Sequence, residues 1–247
     1  MQKKRAVCFL LAALLLGVPA YGQSKAASAE SYRQRGDGWL AKGEWKRAIE
    51  DYTLAIVFNA TSAEIYNNRG AARYASGAYA EAVSDYTRAI GLSPRLAGAF
   101  LNRGMARRAI GEADAAREDF DEALRLAPEL VAAWNNRGTL RKAAGDLAGA
   151  RADFDRALAL NPRLAEGYNN RGNVYLAEGR LEEAIADYTR ALRLNPNYAA
   201  AYLNRGTAHQ SLGNDRDAAA DFDRCLQIAP EYRPHVERQG RRIAAAQ

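Results

Sequence analysis

Carboxamides and charges recur in this chain at a fixed interval of 34 residues. Asn68, Asn102, Asn136, Asn170 and Asn204 form one series, opened by Gln34, and Asn67, Asn135 and Asn169 double three of its members. Arg35, Arg69, Arg103, Arg137, Arg171 and Arg205 each follow directly. Sixteen residues after each arginine stands Asp51, Asp85, Asp119, Asp153, Asp187 or Asp221. A carboxamide offers one acceptor and two donors, so it can hold a peptide bond at both its N–H and its C=O without reading the side chain. A guanidinium and a carboxylate at constant separation can form an ion pair, and burial would demand it. Each set has a second reading: amides bonded to backbone carbonyls at helix junctions, and an arginine stripe for anionic ligands.

Catalytic chemistry finds little material. His209 and His235 are the only histidines, and His209 occupies a helix position suited to packing. No Glu/His helix motif or cysteine cluster supplies a metal site. The glycines do not form a phosphate loop, and no nucleophile–base arrangement stands out. The expectation is a non-enzyme without cofactors.

The elements that carry the amides are helices. Ala, Leu, Arg and Glu dominate, no stretch alternates as a strand would, and the chain reads as all-α. Asparagine and glycine are poor helix residues, so their regular return asks for a task. Gly36, Gly70, Gly104, Gly138, Gly172 and Gly206 are 34 residues apart, and a second series from Gly43 to Gly213 follows seven residues later. Between them recur Ala48 to Ala218, an aromatic (Tyr52, Tyr86, Phe120, Phe154, Tyr188, Phe222), and Ala55 to Cys225. Pro94, Pro128, Pro162, Pro196 and Pro230 close five units; Ala60 stands in the first. In the unit 131–164 this predicts a helix over 131–143 and a second over 147–160. Gly145 is the left-handed stop between them, and Asn161-Pro162 ends the second. Gly138, Ala150 and Ala157 allow close approach, with Phe154 filling the space beside them. One hairpin cannot bury its own apolar face, so neighbours must stack.

This pattern resembles the tetratricopeptide repeat family, in six units over 29–62, 63–96, 97–130, 131–164, 165–198 and 199–232. The resemblance implies a right-handed superhelix, an α-solenoid, whose first helices line a concave groove. Gln34, Asn67, Asn68, Asn102, Asn135, Asn136, Asn169, Asn170, Asn173 and Asn204 would face a peptide there, similar to the asparagine ladder of O-linked N-acetylglucosamine transferases. Specificity would come from groove positions that vary: Asp37, Tyr74, Met105, Arg108, Lys142, Asn173 and Leu176. Asn173, Asn204 and Arg238 match three of five positions of the carboxylate clamp of co-chaperones; Asn169 and Pro234 stand where its lysines belong. Many units of the family carry an apolar residue at the arginine position and a large one at the aspartate. The simplest account is therefore an Arg–Asp pair within each hairpin or at each junction. Arg88, Arg156, Arg190 and Arg224, three residues past their aspartate, could share it. Residues 233–247 read as a polar capping helix, with Pro234 near its start.

Charged residues make up 26% of the 247 and hydrophobic ones 48%, which excludes a disordered chain or a wholly membrane-embedded one. Lys3, Lys4 and Arg5, the apolar run from Ala6 to Val18, Pro19 and the small residues Ala20 and Gly22 read as a bacterial-type secretory signal cut after Gly22. The alternative, a membrane anchor, needs a longer run. Residues 23–28 read as a flexible leader. The signal holds three of 35 basic and none of 29 acidic residues, so cleavage lowers the net charge from +6 to +3. Neither nucleic acid nor, after cleavage, a membrane is expected as partner. Cys225 would remain alone, without an internal disulfide. The expected role is a monomeric periplasmic or secreted scaffold that binds a protein or extended peptide. An accessory subunit or a self-assembling structural protein of an envelope complex is the alternative.

Overall fold

A computed structural model describes residues 25–244, and the side chains among them up to residue 239. The expected secretory signal and its cleavage point lie outside the described residues. Within these residues there are helices and no strands, and no helix is long and apolar enough to cross a membrane. The chain divides into two compact units, the first ending at Glu112 and the second beginning at Ala113, so the division falls inside the third repeat.

The first unit holds α1 (Lys25–Ala41), α2 (Trp45–Phe58), α3 (Ala63–Ala75), α4 (Tyr79–Leu92) and α5 (Ala97–Ala109). The second holds α6 (Ala113–Leu126), α7 (Val131–Ala143), α8 (Leu147–Leu160), α9 (Ala165–Ala177), α10 (Leu181–Leu194), α11 (Ala199–Ser211) and α12 (Asp215–Ile228). A 3₁₀ turn (Pro230–Tyr232) then leads into α13 (Arg233–Ala244). The bounds of α7 and α8 are those expected from sequence. The stop glycines Gly43 to Gly213 all have φ between 74° and 86°, the left-handed region that only glycine enters without cost. At the far ends of α8 and α10, Asn161 and Asn195 turn their side chains to accept the N–H of Arg163 and Asn197, which starts the turn before the next hairpin.

The leader is shorter than expected. Lys25 to Ser28 belong to α1, because good helix formers run on without interruption and Ser28 and Ala29 are buried. At the other end α13 is present, and Gln210 of α11 donates to the Gln239 carbonyl on it.

Within each hairpin the two helices close over small residues. Ala48, Ala82, Ala150 and Ala184 are fully buried, as are Tyr52, Phe154 and Tyr188. Successive first helices also touch one another inside each unit, α1 with α3 and α3 with α5, then α7 with α9 and α9 with α11. Within each unit, adjacent second helices make no comparable contact among the described residues. The first helices therefore form the inner row of each unit, and the amides lie along it.

Candidate functional site

The arginines are positioned first, because they fix the backs of the amide-bearing helices. Arg35–Asp51, Arg69–Asp85, Arg137–Asp153, Arg171–Asp187 and Arg205–Asp221 are all two-pronged pairs, Nε and Nη2 each donating to one carboxylate oxygen at 2.6–2.9 Å. Each pair joins the two helices of one repeat. Arg103 and Asp119 fall in different units. The aspartates are buried, and the Asp187 bonds lift the Arg171 guanidinium above its usual value against the opposing effect of burial. The remaining Nη1 reaches the second helix of the preceding repeat: Thr53 from Arg69, Thr87 from Arg103, Asp121 from Arg137, Asp155 from Arg171 and Thr189 from Arg205. Each guanidinium also lies over the aromatic ring three residues before it, as Arg137 does on Trp134 at 4.7 Å. The arginine series is thus a set of staples within and between repeats.

The second partner of the aspartate differs from expectation. Arg88 and Arg190 lie against the rings of Tyr66 and Tyr168, and Arg224 donates to Gln227. These residues sit on the same helix as their aspartate, but Arg88 and Arg190 meet the facing helix at its aromatic ring and not at the aspartate. The position four after the first arginine supplies the partner instead: Trp39 donates to Asp51, Arg73 pairs with Asp85 at 2.7 Å, and Arg141 with Asp153 at 2.9 Å. His209 holds that position in the sixth repeat. Its Nδ1 is buried without a hydrogen-bond partner among the described residues.

The amides bond mainly to one another. In the first unit Asn102 Nδ2 donates to Asn67 Oδ1 (3.1 Å), Asn67 makes a long bond to Asn68 (3.4 Å), and Asn68 donates to Asp37 Oδ1 (3.1 Å). Asp37 also accepts from Arg33 and from the Tyr52 hydroxyl. In the second unit Asn204 donates to Asn169 (2.9 Å), Asn169 approaches Asn170 (3.5 Å), and Asn170 donates to Asn135 (3.0 Å). The doublets now have a physical account. The first asparagine of a doublet accepts from the second-position asparagine of the next repeat, 35 residues on.

Two expected groove residues, Asn136 and Gln34, do not join in that way, and Asn169 joins from a buried position. Asn136 is buried and donates to the Ala132 carbonyl of its own helix; the register position of an amide acceptor in the preceding repeat is Leu101. Asn169 is buried and serves as a ladder acceptor. Gln34 is exposed and donates to Glu30, which its bonds to Arg33 and Gln34 hold at about 2. Among the variable positions, Tyr74 packs against the Tyr86 cluster and Leu176 against the Tyr188 cluster, so both serve the core. Met105 and Arg108 are half-buried on α5. Asn173 accepts from the Tyr188 hydroxyl at 2.8 Å. Burial, then the Asp187 charge, pushes that phenol above its ordinary range. Of the matched clamp residues, Asn173 accepts from Tyr188, Asn204 donates to Asn169, and Arg238 is exposed. Lys142, Asn170 and Asn173 line one cavity of about 250 Å³ together with Thr139, Ala143 and Phe154.

Sequence reasoning missed the Tyr hydroxyl partners. The signal was readable: Tyr52 and Tyr188 pair with Asp37 and Asn173 fifteen residues before them, whereas Phe154 and Phe222 face Thr139 and Thr207 by the same register.

A family model described as TPR repeat matches residues 36–77, 140–179 and 172–213, and one described as tetratricopeptide repeat matches 63–96, 97–130 and 199–232. No curated protein matches the chain. The solved structure of pilF from Pseudomonas aeruginosa is 20% identical at a TM-score of 0.76, over 89% of this chain and 100% of that one. YrrB, a TPR protein with an unusual peptide-binding site, is 24% identical at 0.60, over 76% and 97%. MamA is 23% identical at 0.59, over 67% and 96%. At these identities the likeness speaks for the fold alone. The register, the hairpins and the family models agree: the chain belongs to the tetratricopeptide repeat family.

Proposed function

We propose that this protein is a non-catalytic scaffold of the cell envelope whose first-helix row binds an extended peptide segment of a partner protein. The observation that carries the reading is the half-spent amide ladder. Asn68, Asn102, Asn170 and Asn204 each donate one N–H to a neighbour and keep a second N–H and an oxygen lone pair. Such an amide is already oriented by its neighbour, so gripping a peptide bond costs less ordering than for a free side chain. YrrB's peptide-binding site is a precedent in the same fold. Four rungs at about 0.5–1.5 kcal/mol each contribute about 2–6 kcal/mol before the cost of association, so the ladder alone supports about millimolar affinity at best and side-chain contacts must supply the rest. Rungs one repeat apart, about 10 Å, meet every third residue of an extended chain.

The test is capture of partners from envelope extract, with identification, by wild type and by a variant carrying Asn68→Ala, Asn102→Ala, Asn170→Ala and Asn204→Ala. Circular dichroism confirms that the variant is folded. The expected result is loss of the wild-type partners, and undiminished recovery would remove the ladder from the binding surface. Export is checked separately: N-terminal sequencing of the protein purified from its native host should begin at Gln23. A chain retaining Met1 in the cytoplasm would contradict the envelope assignment.

A further inference from the structure

The turn between α2 and α3 differs in chemistry from its five counterparts. Where proline closes each later repeat, the first reads Asn59-Ala60-Thr61, the only Asn-x-Ser/Thr triplet in the 247 residues. It lies outside regular helix, with Asn59 half-buried as the C-cap of α2 and with Ala60 and Thr61 exposed. Asn59 Oδ1 accepts two bonds from Thr61, one from the backbone N–H at 3.2 Å and one from the hydroxyl at 3.1 Å. Asn161 and Asn195 accept only the backbone bond, because arginine and asparagine stand two residues on. Two donors on the oxygen polarise the carboxamide and make its N–H more acidic. Nδ2 bonds to no described residue and is the free end of the side chain.

The helix that leads into this turn is also unlike its counterparts. Leu54 and Val57 share one face of α2, and Val57 is 73% exposed. Neither joins the Tyr52 core cluster, to which Ile49, Ile56 and Phe58 belong. At the register of Leu54 every later repeat carries a charge, from Arg88 to Arg224, and at that of Val57 none carries a large apolar residue. The first repeat alone turns two aliphatic side chains outward here, next to the triplet. At 1.5 Å per residue Leu54 is about 8 Å from Asn59 along the helix axis, within reach of the first sugars of a chain attached there. The C–H face of a sugar ring packs on aliphatic side chains and leaves its hydroxyls in water.

We propose that Asn59 is an N-glycosylation acceptor whose glycan covers Leu54 and Val57. The donor is a glycosyl diphosphate, carried on a lipid or a nucleotide and presented by a transferase. Asn59 Nδ2 attacks the anomeric carbon, and the C–N bond forms as the C–O bond to the diphosphate breaks. The bonding pair leaves with the diphosphate, and the Nδ2 proton passes to a base of the transferase. A glycan is bulky and solubilising, which suits an apolar face with no protein over it. The site is on a second helix, so it leaves the first-helix row open to a peptide.

The experiment is mass spectrometry of the chain purified from its native host, with fragmentation of the tryptic peptide 48–69 to assign added mass to a residue. Sugar is expected on Asn59. A single sugar identifies a nucleotide-linked donor, and a preassembled oligosaccharide a lipid-linked one. Thr61→Ala and Ala60→Pro should each abolish the modification, and Thr61→Ser should retain it. Ala60→Pro restores the residue of the other five turns, and Asn59 is already in the extended conformation that proline prefers before it, so the circular dichroism should not change. The second readout is binding of an apolar fluorescent dye. It should rise several-fold in Asn59→Gln and fall back when Leu54→Arg and Val57→Gln are added. Unmodified Asn59 in the native-host protein overturns the acceptor. Modification that survives Thr61→Ala or Ala60→Pro overturns the triplet as its signal. A glycosylated chain that binds dye as Asn59→Gln does overturns the covering of the patch.

Discussion

Asp153→Ala is expected to destabilise the protein by about 3–5 kcal/mol, the range for removing one partner of a buried ion pair. Asp153 is 1% exposed and serves two guanidiniums, Arg137 through both oxygens and Arg141 at 2.9 Å. Its loss leaves Arg137, whose side chain is 12% exposed and lies over the Trp134 ring, with both inner prongs unpaired and only Nη1 still held, by Asp121. Asp51→Ala is the internal control. It removes the same two-pronged pair, but Arg35 is 51% exposed and can turn to water. The control should lose only about 1–2 kcal/mol, including the Trp39 bond. Urea unfolding followed by circular dichroism gives the ordering. Hydrogen exchange on α7 and α8 shows whether the loss is local, as nearest-neighbour stacking requires. Equal losses for the two variants would mean that guanidinium burial is not the source. Replacing Arg137 by Met and Asp153 by Leu together should recover most of the stability, since an apolar pair leaves no buried charge.

What the sequence made legible divides by range. The stop at Gly145, the end at Asn161-Pro162 and the bounds of α7 and α8 are local instructions, written in residues that restrict their own backbone. That an arginine pairs with an aspartate was legible from constant spacing. Which aspartate was not, since Asp85 in the same repeat and Asp51 in the one before are almost equally far from Arg69 along the chain. Helix packing decides it: the facing helix brings Asp85 to both prongs, and the preceding repeat receives only Nη1. The amides show the same limit more sharply. Read by repeat, Asn67 and Asn68 both seem to face a ligand. In space Asn67 is the acceptor for Asn102, and Asn68 is tied to Asp37. Periodicity names the face of a helix but not the neighbour across it. The cavity at Lys142 depends on three helices at once and left no mark in the register.

Gly70→Ala is expected to destabilise the first unit by about 1–3 kcal/mol, against the direction that helix propensity alone would give. Gly70 lies inside α3, where alanine is normally the better residue by about 1 kcal/mol. A Cβ at Gly70 would meet the Tyr86 ring at 2.7 Å, closer than nonbonded carbons approach. Tyr86 cannot yield cheaply: it is 2% exposed and packed with Ala82 and Ala106. The helices must part, and the Arg69–Asp85 pair beside the contact must lengthen with them. Gly91→Ala, in α4 of the same unit, has no neighbour within 4 Å of the new methyl. It should be neutral or stabilising by up to about 1 kcal/mol. The same chemical change is thus predicted to have opposite signs in one unit, read by thermal or urea unfolding of the two variants. A Gly70→Ala variant as stable as Gly91→Ala would show that the glycine series does not set the helix spacing. A loss confined to Gly70, relieved by Tyr86→Leu in the double variant, would show that the aromatic and the glycine were kept together as one contact.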